Sequence, residues 1–188
     1  MNIVQNAKLY IKWIAESVRL DALSAIAKNR KVFRGQVYWC YFGINIGSEQ
    51  NEKRPCLIIQ NNMGNLSAAT TIVAPITHTK RDLPSVVPIS DKYDNAGKLI
   101  LDGNVLLGHI RAICKSRLSD YITNLTADEM KWVDEAVAKT VDIHTTFIKQ
   151  EKQLARQQRH INNLTETICN KDFEIAGLKD EINKLKNN

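Results

Sequence analysis

Gly47 to Thr77 reads GSEQNEKRPCLIIQNNMGNLSAATTIVAPIT, and this stretch decides the fold. Its polar opening ends in a cation, Arg54, beside the stiff Pro55. Cys56-Leu57-Ile58-Ile59 is then a short apolar run of β-forming residues. Asn61 to Ser67, rich in Asn, Gly and Ser, reads as a turn. Thr70 to Ile76 is again apolar and β-branched, and Thr77 ends it. Two antiparallel strands joined by that turn bring Arg54, at the entry of one, to the same end of the sheet as Thr77, at the exit of the other. A guanidinium and a hydroxyl held side by side suit the binding of a phosphate.

Working outward, 188 residues suffice for one good core and an appendage. Lys and Arg number 26 against 20 Asp and Glu, a net charge of +6. That balance suits an anionic partner such as nucleic acid, and it equally suits plain solubility. Cys40, Cys56, Cys114 and Cys169 form no C-x-x-C pair, and no Cys/His cluster has zinc spacing. Reduced cysteines, no metal and no cofactor are the expectation. The first residues are amphipathic, unlike a signal peptide, and no apolar run is long enough to span a membrane. A cytoplasmic protein without membrane attachment is expected.

Residues 3–27 predict a helix with no Pro or Gly. Its apolar positions are Ile3, Ala7, Tyr10, Ile11, Ile14, Val18, Ala22, Ala25 and Ile26, a face that packs on the following domain or on a dimer partner. A membrane-surface role fits less well, because acidic residues interrupt the polar face. Asn29-Arg30-Lys31 reads as a basic hinge. Gln36 to Phe42 reads as a strand whose aromatic residues serve the core or stack on bases. Gly43 to Lys53 is a polar loop that can move as a lid or bind a partner.

His78 to Asp82 reads as a basic loop, and Pro84 and Pro88 bracket a short edge strand. Residues 90–97 read as turn, and Asp102-Gly103 as a turn signal between apolar residues. Gly108 to Cys114 alternates like a half-exposed strand, with Arg111, Lys115 and Arg117 adding positive charge. Many short strands separated by turns point to a small β-barrel.

Thr126-Ala127-Asp128-Glu129 is a capping box, with Leu125 and Met130 spaced for a hydrophobic staple. Val133, Val137, Val141 and Ile148 continue an apolar face, so the helix closes over the barrel and then runs on. In the tail, Ile161, Ile168, Ile175 and Ile182 recur every seven residues, and Leu164, Leu178 and Leu185 follow three residues behind. Ile at a and Leu at d is the pattern of a two-stranded parallel coiled coil. Glu174 can face Lys179 of a partner strand, and Glu181 can face Lys186. Lys171 and Gln157 fall at d positions and cost stability. The tail can serve as a dimer strut, a seam for another protein or an RNA-binding arm using Lys152, Arg156 and Arg159.

The ordered series Arg34-Gly35, Val37-Tyr38, Gly47 to Gln50, Lys53-Arg54-Pro55, Leu57 to Asn61, Thr71 to Thr77, Leu83-Pro84, Val86 to Ile89, Val105-Leu106-Leu107, Ile110-Arg111 and Lys115 to Leu118 resembles the MazF/PemK family of toxin endoribonucleases. The resemblance covers about residues 32–141. It implies a mainly β fold, an SH3-like small β-barrel with a helix packed after it. An N-terminal helix (1–30) and a coiled-coil tail (150–188) then lie outside the barrel region (31–149) as extensions. It further implies a homodimer that cuts single-stranded RNA without a metal and is restrained by an antitoxin protein. By position, Arg54 and Thr77 match the family's catalytic pair. Attack by the substrate's 2′-hydroxyl would leave a 2′,3′-cyclic phosphate and a 5′-hydroxyl.

Ser48, Gln50, His109 and Arg111 are candidates for RNA contact. The family more often has Gln at the place of His109 and an acidic residue at that of Gly108, so His109 either reads a base or has no role. A non-enzymatic binder on the same barrel is the rival reading, either a gyrase poison or a regulatory coiled-coil dimer. The gyrase poisons need a C-terminal Trp-Gly-Ile end, and this chain ends Lys186-Asn187-Asn188.

Overall fold

A strand covered on both faces needs apolar residues at every position rather than at alternate ones. Three strands at the centre of the computed structural model meet that demand. They are β1 (Gln36–Tyr41), β2 (Lys53–Ile58) and β3 (Thr70–Thr77). On one face Val37, Leu57, Ala74 and Ile76 enter a core with Val87, Ile89, Leu101, Val105 and Val133. On the other, Tyr38, Cys40, Cys56, Ile58 and Val73 enter a second core with Val32, Phe42, Ile113 and Leu118. The structure describes residues 3–79 and 82–186, so the basic pair Lys80-Arg81 and the last two residues lie outside it.

The described residues form a curled sheet of seven strands. The others are β4 (Val86–Tyr93), β5 (Leu99–Leu106), β6 (Arg111–Cys114) and β7 (Leu118–Asn124). The order is β4-β5-β3-β2-β1-β7, with β6 beside β3, and every pairing is antiparallel. Five helices accompany it: α1 (Ile3–Ala22), α2 (Ser24–Ala27), α3 (Asn62–Ser67), α4 (Ala127–Thr140) and α5 (His144–Lys186). No helix among the described residues is long and apolar enough to cross a membrane.

Several local expectations are revised. The connection from β2 to β3 is the helix α3, because the Asn61 side chain caps it by accepting from Gly64 N at 2.8 Å. Asn65 behind it is fully buried. Its amide donates to Gln60 O and accepts from Thr71 Oγ1, while Lys115 Nζ donates to Asn65 O at 2.5 Å. Lys115 is therefore a buried structural group and not a surface charge. Burial lowers its pKa. Pro88 does not end β4, which is an edge strand with one unpaired side where a missing N–H costs nothing. Asp102 and Gly103 lie inside β5 and not at a turn. Residues 107–109 form a 3₁₀ turn before β6.

Arg30 is an anchor, not a hinge. It donates to Leu118 O at 2.6 Å and Ser119 O at 2.5 Å, and its guanidinium lies 4.9 Å from the centre of the Tyr38 ring. The helix at the N-terminus forms with a break at Leu23, but it buries the face opposite to the expected one. Leu20 is the buried residue, and Trp13 is half-buried. Tyr10, Ile11, Ile14, Val18 and Ile26 are 46–73% exposed.

The chain divides into two compact units, Met1–Val141 and Asp142–Asn188. The helix after the barrel stops at the boundary. Val141 caps α4 and Asp142 takes a left-handed φ of +55°, which no continuing helix allows. In the second unit, α5 is one helix of 43 residues.

The capping box at Thr126 forms as the spacing predicts, and Leu125 and Met130 join the first core. Its Glu129 does more than cap. The carboxylate accepts from Thr126 N, from Ser90 N and Oγ, and from Lys92 Nζ at 2.7 Å, tying α4 to β4. Burial alone would raise its pKa; the bonds from Lys92, Thr126 and Ser90 outweigh it and hold the group at about 2. A carboxyl depressed on folding stabilises above its unfolded pKa and loses that contribution as pH falls through the folded value. Glu129→Gln is therefore expected to lower stability at neutral pH by up to about 3 kcal/mol. The gap from the parent protein, measured by thermal unfolding, should shrink between about pH 4.5 and pH 2. A gap that does not change with pH would remove the ionic part of this account.

Candidate active site

β3 organises the site. On one side it pairs with β2, and the last ladder pair is Cys56↔Pro75. Two residues further along each strand stand Arg54 and Thr77. Pro55, whose nitrogen faces β3, has no N–H to extend that ladder, and Thr77 pairs on its other side with Asn104 of β5. Nearer its start, β3 pairs with β6, setting Val73 opposite Arg111. Side chains alternate along a strand, and opposed residues share a face. Arg54, Thr77 and Arg111 thus stand on one face of three adjacent strands, β2, β3 and β6.

Arg54 is half-buried and oriented from within its own loop. Its Nε donates to Asn51 O at 2.7 Å, and its Nη1 donates to Gln50 Oε1. Gln50 in turn lines a cavity of about 300 Å³ with Phe42, Glu49, His109, Ile110 and Arg111. The site residues expected from sequence therefore fall into a connected set, Arg54, Gln50, His109 and Arg111, and two outliers. Ser48 is exposed on the loop and does not line the cavity. Thr77 is half-buried at the end of β3, where its Oγ1 accepts weakly from Thr79 N at 3.4 Å. His78 points to Asp102, with Nδ1 3.1 Å from Oδ2, and is exposed.

Two asparagines that the sequence reading passed over hold the loop. Asn45 N donates to Asn51 Oδ1 at 2.6 Å, Asn45 Nδ2 donates to Gln50 O at 2.7 Å, and Arg111 Nη1 donates to Asn45 Oδ1 at 3.5 Å. Asn residues flanking a glycine are the signal that could have found them, since Asn side chains satisfy turn backbone. The loop is thereby tied to itself and to β6. Among the described residues, no group of three His, Cys, Asp or Glu side chains is placed to hold a metal ion.

Asn104 is buried, and Gly103 before it has φ +114°. A Cβ there would sit 2.5 Å from Thr77 O. Gly103 is the reason β5 can approach Thr77 so closely.

The sequence over residues 33–141 matches the family described as PemK-like, MazF-like toxin of type II toxin-antitoxin system. The chain is 44% identical over 108 residues to Endoribonuclease EndoA of Bacillus subtilis, covering 56% of this chain and 90% of that protein. It is 40% identical over 115 residues to Endoribonuclease MazF of Staphylococcus saprophyticus, covering 60% and 92%. Among solved structures, a mycobacterial endoribonuclease in complex with its cognate antitoxin superposes with a TM-score of 0.50 at 28% identity, covering 59% of this chain and 95% of that one. MazF of Deinococcus radiodurans gives 0.51 at 22%, covering 60% and 98%, a likeness of fold.

Gly103→Ala is expected to destabilise the protein by about 2 kcal/mol or more, through left-handed backbone and the Thr77 contact together. Gly97→Ala serves as the comparison, because Gly97 has φ +77° and nothing within 4 Å of an added Cβ. It should cost less in thermal unfolding. Equal losses would mean that the approach to Thr77 contributes nothing.

Proposed function

The chain belongs to the PemK-like, MazF-like toxin family of type II toxin–antitoxin systems, and from that premise we propose that it is an endoribonuclease toxin that cuts single-stranded RNA. The observation that supports this most is the shared face of Arg54, Thr77 and Arg111 on three adjacent strands. The substrate's 2′-oxygen attacks the adjacent phosphorus, and the bond from phosphorus to the 5′-oxygen breaks. The 2′-hydroxyl gives up its proton and the departing 5′-oxygen gains one. The products are a 2′,3′-cyclic phosphate and a 5′-hydroxyl.

Charge grows on the phosphoryl oxygens in the transition state, where fixed donors are worth most. Arg54 and Thr77 supply them. Among the described residues, Nε and Nη1 of Arg54 have protein partners and Nη2 has none, which leaves one end of the fork to the phosphate. The part assigned to Arg54 is to stabilise this charge, since a guanidinium is a poor base. Gln50, His109 and Arg111 face the cavity beside it and contact RNA bases or backbone, with Ser48 at the loop tip. No metal enters this scheme.

A second copy of this chain and an antitoxin are the protein partners in this reading. The mycobacterial relative solved with its cognate antitoxin supports the second. The first is supported by α5. Ile161, Leu164, Ile168, Ile175, Leu178, Ile182 and Leu185 are 47–78% exposed along one helix. Such a seam at a/d spacing calls for a second helix, and a parallel copy in register matches Glu174 to Lys179. The side chains of Glu181 and Lys186 lie outside the described residues. In this organisation, residues 1–30, 31–149 and 150–188 act as brace, nuclease and strut.

Purified protein incubated with a long single-stranded RNA in EDTA is expected to give discrete cuts with 5′-hydroxyl ends. Arg54→Ala and Thr77→Ala should each lose about a hundredfold or more in rate while remaining folded. Full activity in Arg54→Ala, or loss of activity on chelation, would overturn the mechanism. For the tail, Lys171→Leu places an apolar residue at a d position. It should stabilise a dimeric peptide of residues 142–188 by about 1 kcal/mol per chain or more. An unchanged melting temperature would contradict the heptad register.

A further inference from the structure

We infer that α1 braces the loop between β1 and β2, which makes Trp13 a positioning residue for Arg54, Gln50 and Arg111. The family match begins at residue 33, so this helix lies outside the part of the chain that matches the family. Its effect on catalysis rests on the ribonuclease reading; the brace itself rests on geometry.

The contact is a tight one. The Trp13 indole lies directly on Gly43, where a Cβ would sit 2.5 Å from its Cζ2 and 2.6 Å from its Cε2. Gly43 also has φ +89°, so glycine is required there twice over. On the indole lies the Arg117 guanidinium, 5.2 Å from the ring centre. Arg117 Nη1 donates to Tyr41 O at 3.1 Å and Phe42 O at 3.3 Å. Helix, cation and the end of β1 thus form one stack.

That stack holds the stem of the loop. Gly43 O accepts from Glu52 N at 2.7 Å, and Phe42 N donates to Glu52 O at 2.8 Å. The next residue, Asn51, holds Arg54 Nε through its carbonyl and Asn45 N through its side chain. Asn45 in turn holds Gln50 O and meets Arg111. The side chains that orient Arg54, Gln50 and Arg111 are therefore linked in a short chain of contacts to Gly43, on which Trp13 rests.

Beyond the stem the loop has little support from the helix. Between them lies a cavity of about 530 Å³, and Ile46 at the tip is 82% exposed. Trp13 on Gly43 is the bearing point. With it gone, the loop has room to shift, and a displacement of an ångström at the reacting groups can cost up to about a hundredfold in rate.

The test is hydrogen exchange together with steady-state cleavage of RNA, on the full chain. Trp13→Ala is expected to speed amide exchange across residues 44–51 by about tenfold, with β2 and β3 unchanged. It should lower kcat/KM by about tenfold or more. Trp13→Phe, which restores a ring, should recover most of both. Gly43→Ala drives the indole off and should reproduce the effect, and adding Trp13→Ala to it should cost little more, since the two act through one contact. If Trp13→Ala fails to fold, Trp13→Leu keeps apolar volume without the platform for Arg117 and is read in the same way.

Unchanged exchange at 44–51 in a folded variant would overturn the brace. Faster exchange with unchanged kcat/KM would overturn the positioning role. A parent protein that cuts no RNA would instead refute the ribonuclease reading, and the exchange result would still decide the brace.

Discussion

Everything at the site depends on one strand end. β3 has a partner along its whole length, with β2 on one side over residues 73–75 and β6 and then β5 on the other over 70–73 and 76–77. The β2 ladder stops at the pair Cys56↔Pro75, because the next bond would need an N–H from Pro55, which faces β3 and has none. From there the two strands carry Arg54 and Thr77 without a ladder between them. A sheet that stops leaves a guanidinium and a hydroxyl on a common face with space for a ligand. One imino acid, Pro55, makes this edge in the middle of a sheet.

The rest of the first unit holds that end still. Both faces of β1, β2 and β3 are covered by apolar side chains, which fixes their register, since a slip of one residue would exchange the two cores. The polar knot of Asn65, Thr71 and Lys115 fixes the far end of the β2–β3 connection. Each group in it is buried and each has a partner, so the knot constrains the strands without an unmet desolvation cost. Gly103 lets β5 close against Thr77. Rigidity at three sides of Thr77 contrasts with the β1–β2 loop, which is held by its own asparagines and by one indole.

What the sequence disclosed follows from how local each signal is. Runs such as Cys56 to Ile59 and Thr70 to Ile76 state their conformation by themselves, because β-branched residues in succession fit a doubly covered strand. The capping box states itself too. That Arg54 and Thr77 stand at one end of the sheet was legible because antiparallel pairing converts sequence order into spatial order. The failures have the opposite character. Asp102-Gly103 has turn composition, yet it sits in β5 because the glycine is needed by Thr77, a residue 26 positions earlier in the chain. Lys115 reads as a surface charge until Asn65 O is seen to receive it. The helical period over residues 3–27 predicted a helix, but the period cannot say which of two apolar stripes meets the domain. The narrower one, through Trp13 and Leu20, does so.

That choice of face bears on what the appended helix is for. A helix added only to enlarge the core would turn its broadest apolar stripe inward, and here Ile11, Ile14 and Val18 face outward. Burying about three such side chains would contribute several kcal/mol, so stability alone would favour the other orientation. Instead the helix spends its inward face on one indole set against a glycine that has no Cβ to resist it, with an arginine locked over the ring. The arrangement makes sense when its product is the position of the loop stem and not the burial of surface. The outward stripe then remains as exposed apolar area on the same helix.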